Sequence, residues 1–423
     1  MRGVLRNAVL TSIVLTTVAC LSSEALAGQG ASGRSATAVD LTLPKDVNAD
    51  SRNRLPSVTR DALDERRKKA YDAAAAASPT GAPRGAAAIR LHKSGADTRW
   101  DSPVGRRLTE MAILGTAREH DQPYEWSLHE MEALSVGLEP AIIDVIRHRR
   151  PLTGLGEKEA AIIQIGREAG GAHKVSSEAY ARALKALGQT NLVDVADLMA
   201  GYAGTATNLT AANQWLPPQM KQFLPLPFTM PDDIHPDSRS RIPAPAPQAQ
   251  PQGQAQGQNE APAGLYRRTL APPPTGPGSM GRPRAGLPSL EKSQGRPLMD
   301  LAILLTAREH DDQYGWTMNE GAALKNGLNA ALIDVVRQRT PVTGLGEKEA
   351  TLITFGRELF GRHNVTAETY ARAVKVFGQR DLSEFVVGVM APHAADAMLL
   401  AIFDQHLPAG QTPLLPMSSG GSR

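Results

Sequence analysis

Four ionisable residues between positions 106 and 135 have the types and spacing for proton-transfer chemistry. Glu125, His129 and Glu132 recur at i, i+4 and i+7, which on a helix stacks them as one narrow polar stripe. A histidine beside carboxylates can serve as a general acid or base near neutral pH. Glu110 stands earlier in the chain, among Leu108, Met111, Ala112, Ile113, Leu114 and Ala117. Those residues surround a helix axis, so this acid is expected in an apolar setting, either partnered or with a raised pKa. Glu119 falls on the opposite side of a regular helix and cannot share a site with Glu110. The plainer reading of the stripe is a solvated face. A metal site needs ligands that this spacing does not supply, so neither metal nor cofactor is expected.

The elements that must position these groups read as helices throughout. The apolar pattern predicts helices over about 107–121 and 124–135, a short one at Ile142–Ile146 ended by Pro151, and a long one from Leu192 to Trp215 stopped by Pro217 and Pro218. Residues 59–77 read as a charged, Ala-rich helix with Thr59 as its cap. No run alternates with period two, and the expected fold class is all-α.

The chain also repeats itself. TEMAILGTAREHDQPYEW at 109–126 matches MDLAILLTAREHDDQYGW at 299–316, and TGLGEKEA at 153–160 recurs unchanged at 343–350. The offset is 190 residues from 106 to 192 and 191 by Leu216/Leu407, with more than half of the aligned positions identical. This is a duplicated domain, not a short-period solenoid. In the second copy the stripe becomes Gly315, Asn319 and Ala322 while Trp316, Ala323, Leu324 and Gly327 keep the framework. Chemistry that needs Glu125 and His129 therefore belongs to the first copy alone. Five pairs persist in both: Glu119/Glu309, His120/His310, Arg167/Arg357, Glu168/Glu358 and His173/His363. His120 ends a helix, where a cation is favoured, and His173 is placed to cap carbonyls in a loop. GLGEKEA has the glycines of a phosphate loop but not its Lys-Ser/Thr ending, which argues against nucleotide binding.

Composition sets outer limits. With 46 Lys+Arg against 43 Asp+Glu in 423 residues, no broad basic surface for nucleic acid is implied. Arg2 and Arg6 precede an apolar run from Ala8 to Leu21, too short for a membrane span, followed by the small-x-small site Ala25-Leu26-Ala27. Residues 1–27 read as an export signal, which places the mature chain in a periplasm or outside the cell, with no transmembrane segment. A rival reading acylates Cys20, the single cysteine, as a lipoprotein anchor. The expected organisation is a flexible leader at 28–56, a first domain at 57–225, a Pro/Gln/Gly-rich linker at 226–295, a second domain at 296–416 and a tail at 417–423.

On the segments LTEMAILGTAREHDQPYEWSLHEMEAL and TGLGEKEAAIIQIGREAGGAHKVSSEAYARALKALGQTNLVDV, with their second copies, the chain resembles the carboxymuconolactone decarboxylase family. That family shares its all-α fold with alkylhydroperoxidase D-like proteins. The resemblance covers about 106–225 and 296–416. It implies tandem helical domains of that fold, a homo-oligomer, and two fused copies acting as a built-in dimer. The thiol branch of the family carries two cysteines where this chain has Gln122 and Glu125, followed by its His at His129 and preceded by its Glu at Glu110. Without a thiolate, peroxidase or disulfide-reductase chemistry does not carry over. The decarboxylase branch works without cofactor. It implies Glu110 and His129 as a proton-transfer pair, Glu125 tuning the imidazole, and a small organic acid or lactone as substrate. The alternative is a non-catalytic binding or scaffold protein that keeps the oligomeric helical core.

Overall fold

The computed structural model describes residues 43–78, 80–226, 232–243 and 287–416. The expected signal, Cys20, most of the linker and the tail lie outside them. The first copy contains α1 (Glu65–Ala77), α2 (Gly85–Arg90), α3 (Arg106–Glu119), α4 (Pro123–Ser135), α5 (Pro140–Arg147), α6 (Glu157–Arg167), α7 (Ser177–Leu187) and α8 (Gln189–Ala211). The second contains α9 (Leu287–Gln294), α10 (Arg296–Glu309), α11 (Gln313–Lys325), α12 (Ala330–Arg337), α13 (Glu347–Gly361), α14 (Ala367–Phe377), α15 (Gln379–Glu384) and α16 (Ala391–Ile402). A π-turn at Phe385–Met390 joins α15 to α16 in one continuous helix. Among the described residues there is no strand, only an isolated bridge between His235 and Ser240. The fold is all-α.

The helix ends follow local chemistry. Pro123 opens α4 in the first-turn position where its missing N–H costs nothing, and the Gln122 side chain accepts from Tyr124 N at 2.9 Å. Ser176 caps α7 and Thr366 caps α14 by accepting from the amide three residues on. Asp64, not Thr59, caps α1, because Thr59 precedes only a 3-10 turn at Arg60–Ala62 and makes no side-chain bond there.

One helix explains the shift in the repeat offset. Gln379–Ile402 has 24 residues where α8 has 23. A single inserted residue cannot be absorbed by regular i→i−4 bonding, and the helix takes it up as the π-turn at 385–390. By length and composition this helix could cross a membrane, yet 67% of its apolar window is buried in the fold, as expected of a core helix.

The copies are joined closely, and the described residues belong to one compact unit. The pairing of α8 with α16 is the principal contact. Gly204 permits it: a Cβ there would stand 3.1 Å from the Ala391 carbonyl oxygen. Ala395, Met398, Leu399, Ile402 and Phe403 of the second copy are packed into the core of the first.

Two short arginine clasps complete the join. Asp50-Ser51-Arg52-Asn53-Arg54-Leu55-Pro56 recurs as Asp237-Ser238-Arg239-Ser240-Arg241-Ile242-Pro243. Arg54 donates to Val175 O of the first copy and Ile402 O of the second, both at 2.9 Å, and pairs with Asp46. Arg241 reverses the roles: its side chain donates to Val365 O at 2.8 Å, its amide to Ala212 O at 2.9 Å, and it pairs with Asp233. Each guanidinium lies over a tyrosine, Tyr180 or Tyr370. Residues 43–56 and 232–243 are thus built into the fold. Their composition suggests a loose leader and linker, but buried arginines satisfying loop and helix-end carbonyls anchor them.

Candidate active site

Helix α3 is buried almost all round, from Leu108 to Glu119. It carries Arg106 and Glu110 one turn apart on a shared face. Helix α4 packs against it and presents Glu125, His129 and Glu132. The two faces meet: His129 Nδ1 lies 2.6 Å from Glu110 Oε2. Glu110 is fully buried and His129 only 6% exposed. Arg106 Nη2 donates to the other oxygen, Glu110 Oε1, at 2.7 Å.

A third element completes the cluster. In the loop before α3, the Asp97 side chain accepts from the amides of Arg99 and Trp100, both at 2.9 Å. This Asx turn sets the direction of Arg99. Arg99 donates to Glu132 and reaches Glu110 Oε1 at 3.5 Å, while Arg106 also donates to Glu132, at 3.1 Å. Trp100, 54% exposed, covers both guanidiniums at 4.5 and 4.1 Å. From α8, Tyr202 sets its ring edge-on to His129 at 5.0 Å and 90°.

The electrostatics separate the two buried acids. Burial alone would raise the Glu110 pKa, but His129, Arg99 and Arg106 outweigh it and hold the carboxyl well below the usual range. Glu125 goes the other way. It is 2% exposed, neither oxygen has a hydrogen-bond partner, and desolvation pushes its pKa well above 4.5 against the weaker pull of Arg99. Glu110 is driven toward the ionised form and Glu125 toward the protonated one. Tyr202 is likewise shifted upward by burial and stays a neutral phenol.

The stripe is therefore not a solvated face. Glu125 and His129 are buried and only Glu132 is half-exposed, because α4 turns this side toward α3, the Arg99 loop and Tyr202. Glu125 makes no bond to the imidazole, so a role in tuning it through a direct contact is not seen. Glu119 lies elsewhere, against Arg149, as helical geometry requires. The arginines are the part missed by spacing alone: Arg106 was legible one turn before Glu110, whereas Arg99 reaches the site from a loop. Glu110, His129 and Glu132 each offer one ligand atom within 4.8 Å of the others. Both carboxylates there already face Arg99 and Arg106, so a cation would have to displace two fixed positive charges.

Two other histidine readings change. His120 ends α3, but burial, His363 and His173 lower its pKa to about 4, so it is neutral and not a helix-end cation. His173 does cap a carbonyl, but through its backbone N–H, which donates to Glu168 O; at φ 53° its ring turns toward Asp311 and His310 of the other copy.

No family model matches the chain, and neither the curated proteins nor the solved structures contain a match.

Proposed function

We propose that the first copy is a cofactor-free acid–base site of the carboxy-lyase type, acting on a small organic acid or lactone, in an exported chain related to the carboxymuconolactone decarboxylases and sharing the alkylhydroperoxidase D-like fold. The observation that carries this reading is the buried Glu110–His129 pair, with Glu125 on the same helix as His129, a buried acid whose oxygens have no hydrogen-bond partner. Glu110 holds the Nδ1–H of His129 and leaves Nε2 to take or give a proton, the division of labour of a carboxylate–histidine pair. Two buried carboxyls with pKa values driven apart supply a base-side anchor and an acid in one place. In the reaction, the bond from carbon to the leaving carboxylate breaks and its electron pair enters a dienolate. Carbon dioxide departs, and the dienolate carbon receives a proton from Glu125 or from protonated His129. Arg99 and Arg106 are already paired with Glu110 and Glu132, so an anionic substrate would take the place of the half-exposed Glu132 on the two guanidiniums.

Thiol peroxidase chemistry is disfavoured, since the described residues contain no cysteine. The test is substrate-dependent carbon dioxide release across a panel of lactones and aromatic-pathway acids. His129→Ala is expected to abolish turnover while leaving the helical fold intact; unchanged turnover in that variant rejects the site.

A second reading is favoured by the second copy, which keeps the helical framework but has Gly315, Asn319 and Ala322 in place of the stripe. That half serves as binding or scaffold structure, and the assembly is a homo-oligomer. Native mass measurement of the mature chain tests both the assembly and any bound small molecule.

A further inference from the structure

Four of the ten histidines in the chain meet in one place, away from the Glu110 cluster. His120, His173, His310 and His363 line a cavity between α8 and α16, with room of about 20 Å³, enough for one water-sized species. The contacts are reciprocal, as across a two-fold axis. His120 faces His363 with ring centres 5.7 Å apart, and His173 faces His310 at 5.4 Å.

Two of the four rings, His120 and His310, are oriented by a hydrogen bond at Nδ1. Nδ1 of His120 donates to Thr116 O at 2.9 Å, and Nδ1 of His310 to Thr306 O at 2.8 Å. A carbonyl can only accept, so the tautomer is fixed and each Nε2 keeps its lone pair. Nδ1 of His173 stands 3.8 Å from Asp311 Oδ2, and Nδ1 of His363 stands 3.9 Å from Asp121 Oδ2. For His120 and His310, an acceptor on Nδ1 that leaves Nε2 free is the support metal-ligating histidines use. Two imidazoles on one ion, with metal–nitrogen bonds of ~2.0–2.1 Å, have ring centres roughly 5–6 Å apart, and both cross-copy pairs fall in that range. The duplication adds an independent argument. The second copy has lost the stripe of the proposed active site, yet both copies keep both histidines.

We propose that this cavity binds one borderline divalent cation of the Zn²⁺, Ni²⁺ or Cu²⁺ kind through the Nε2 atoms of His120, His173, His310 and His363. Imidazole donors select these ions over Mg²⁺ or Ca²⁺. Burial lowers the pKa of His120 to about 4 and of His310 to about 3, so both are in the neutral form that ligation needs. Glu309, the one carboxylate lining the cavity, is turned to Arg339 at 3.4 Å. No three of the four nitrogens stand within 4.8 Å of one another, so the four rings ligate one ion only after moving toward it.

The experiment uses the full mature chain without a polyhistidine tag, stripped with chelator and titrated with Zn²⁺ by calorimetry, with bound metal counted by elemental analysis. One ion per chain is expected. The paired variant H120Q/H310Q is expected to weaken binding about 10- to 100-fold or more. Because that pair is buried and its loss could disturb folding, H173N/H363N, at partly exposed positions, provides the second test, with the same loss expected. H129Q removes the histidine of the Glu110–Glu132 cluster and is expected to leave the stoichiometry and affinity unchanged. Cu²⁺ added in place of Zn²⁺ is expected to show imidazole nitrogen couplings in its electron paramagnetic resonance spectrum. The assignment is overturned by the absence of saturable binding in wild type, by affinity that survives both paired variants, by loss of the ion in H129Q, or by a Cu²⁺ spectrum without nitrogen couplings.

Discussion

Helices α4 and α11 have the same length, begin after the same turn and bury the same tryptophan, yet only one carries ionisable groups into the interior. The shared part is structural. Trp126 donates to Glu130 in α4, Trp316 donates to Glu320 in α11, and Arg147 or Arg337 pairs with that acid. The unshared part is Glu125, His129 and Glu132 against Gly315, Asn319 and Ala322. In the second copy Asn319 turns back on its own helix, donating to Gly315 O at 2.7 Å, and Asp300, in the place of Glu110, takes Arg296 and Asn326 instead. Ser289 and Leu290 stand where the first copy has Arg99 and Trp100, and Leu290 is fully buried within α9. Two buried acids five residues apart on one helix are thus told apart. Glu130 is satisfied and occurs in both copies, whereas Glu125 is unsatisfied and occurs in one. A buried carboxyl with no partner costs about 1–3 kcal/mol, which a structural role does not repay.

The largest effect is expected from making the first copy resemble the second at the imidazole. His129→Asn should lower any lyase turnover by about 10²-fold or more, with kcat falling and circular dichroism unchanged. Asn319→His alone should create no activity, since that copy lacks the Arg99 loop and the second acid. Turnover gained by the second change, or kept after the first, breaks the contrast between the copies. Next in size are Glu130→Gln and Glu320→Gln. Each removes the charge from a largely buried pair with arginine while keeping a polar group for the tryptophan, so each should cost roughly 2–3 kcal/mol in denaturant unfolding. The two costs should be alike, and neither should alter the pH profile of turnover. A large cost in one copy only would mean that the frameworks are not equivalent.

How much of this was legible depended on where the determining contact lay. The bounds of α3 and α4 followed, to within two residues, from apolar spacing, a local signal. The burial of Glu110 followed from neighbours on its own helix. Arg99 did not, because a loop residue's direction is set by the Asp97 turn and not by any period. The clasps at Arg54 and Arg241 were hidden because Arg, Asn, Ser and Pro in an irregular stretch look solvated until a second copy supplies carbonyls to bond. His120 looked like a favourable helix-end cation for the same reason: the local dipole argument omits His363, which arrives from the other half and desolvates it. The change of offset from 190 to 191 was visible in the sequence, and the π-turn is its physical form.

A smaller effect separates Glu125 from Glu130 by pH. The native pKa of Glu125 lies above its unfolded value, so the folded state keeps a proton that the unfolded chain has released. This contribution opposes folding increasingly as pH rises from about 4.5 through the native pKa. Glu125→Gln removes it. The variant should match wild type near pH 4.5 and exceed it by about 1 kcal/mol or more at pH 8–9, measured by urea unfolding across pH, while losing turnover. Parallel stability curves for variant and wild type would remove the claim that Glu125 is buried as a neutral acid.

The smallest effect asks why the second copy has glycine at the position of Glu125. Replacing glycine by alanine inside a helix ordinarily stabilises by about 0.5–1 kcal/mol. At Gly315 a Cβ would stand 2.1 Å from Asp312 Oδ2. Asp312 is the helix cap and its Oδ1 accepts from the Gly315 amide at 2.7 Å, so turning Oδ2 out of the way strains that bond. Gly315→Ala should therefore destabilise wild type by roughly 1 kcal/mol. In an Asp312→Gln background, which restores the cap residue of the first copy, the same change should be neutral or stabilising. A double-mutant cycle reads the difference as a coupling between the two positions. Zero coupling would show that the glycine is free to change, whereas the expected coupling means that the exchange of Gln122 for Asp312 itself excludes a side chain at 315. The loss of the buried acid in the second copy is then locked in by its cap.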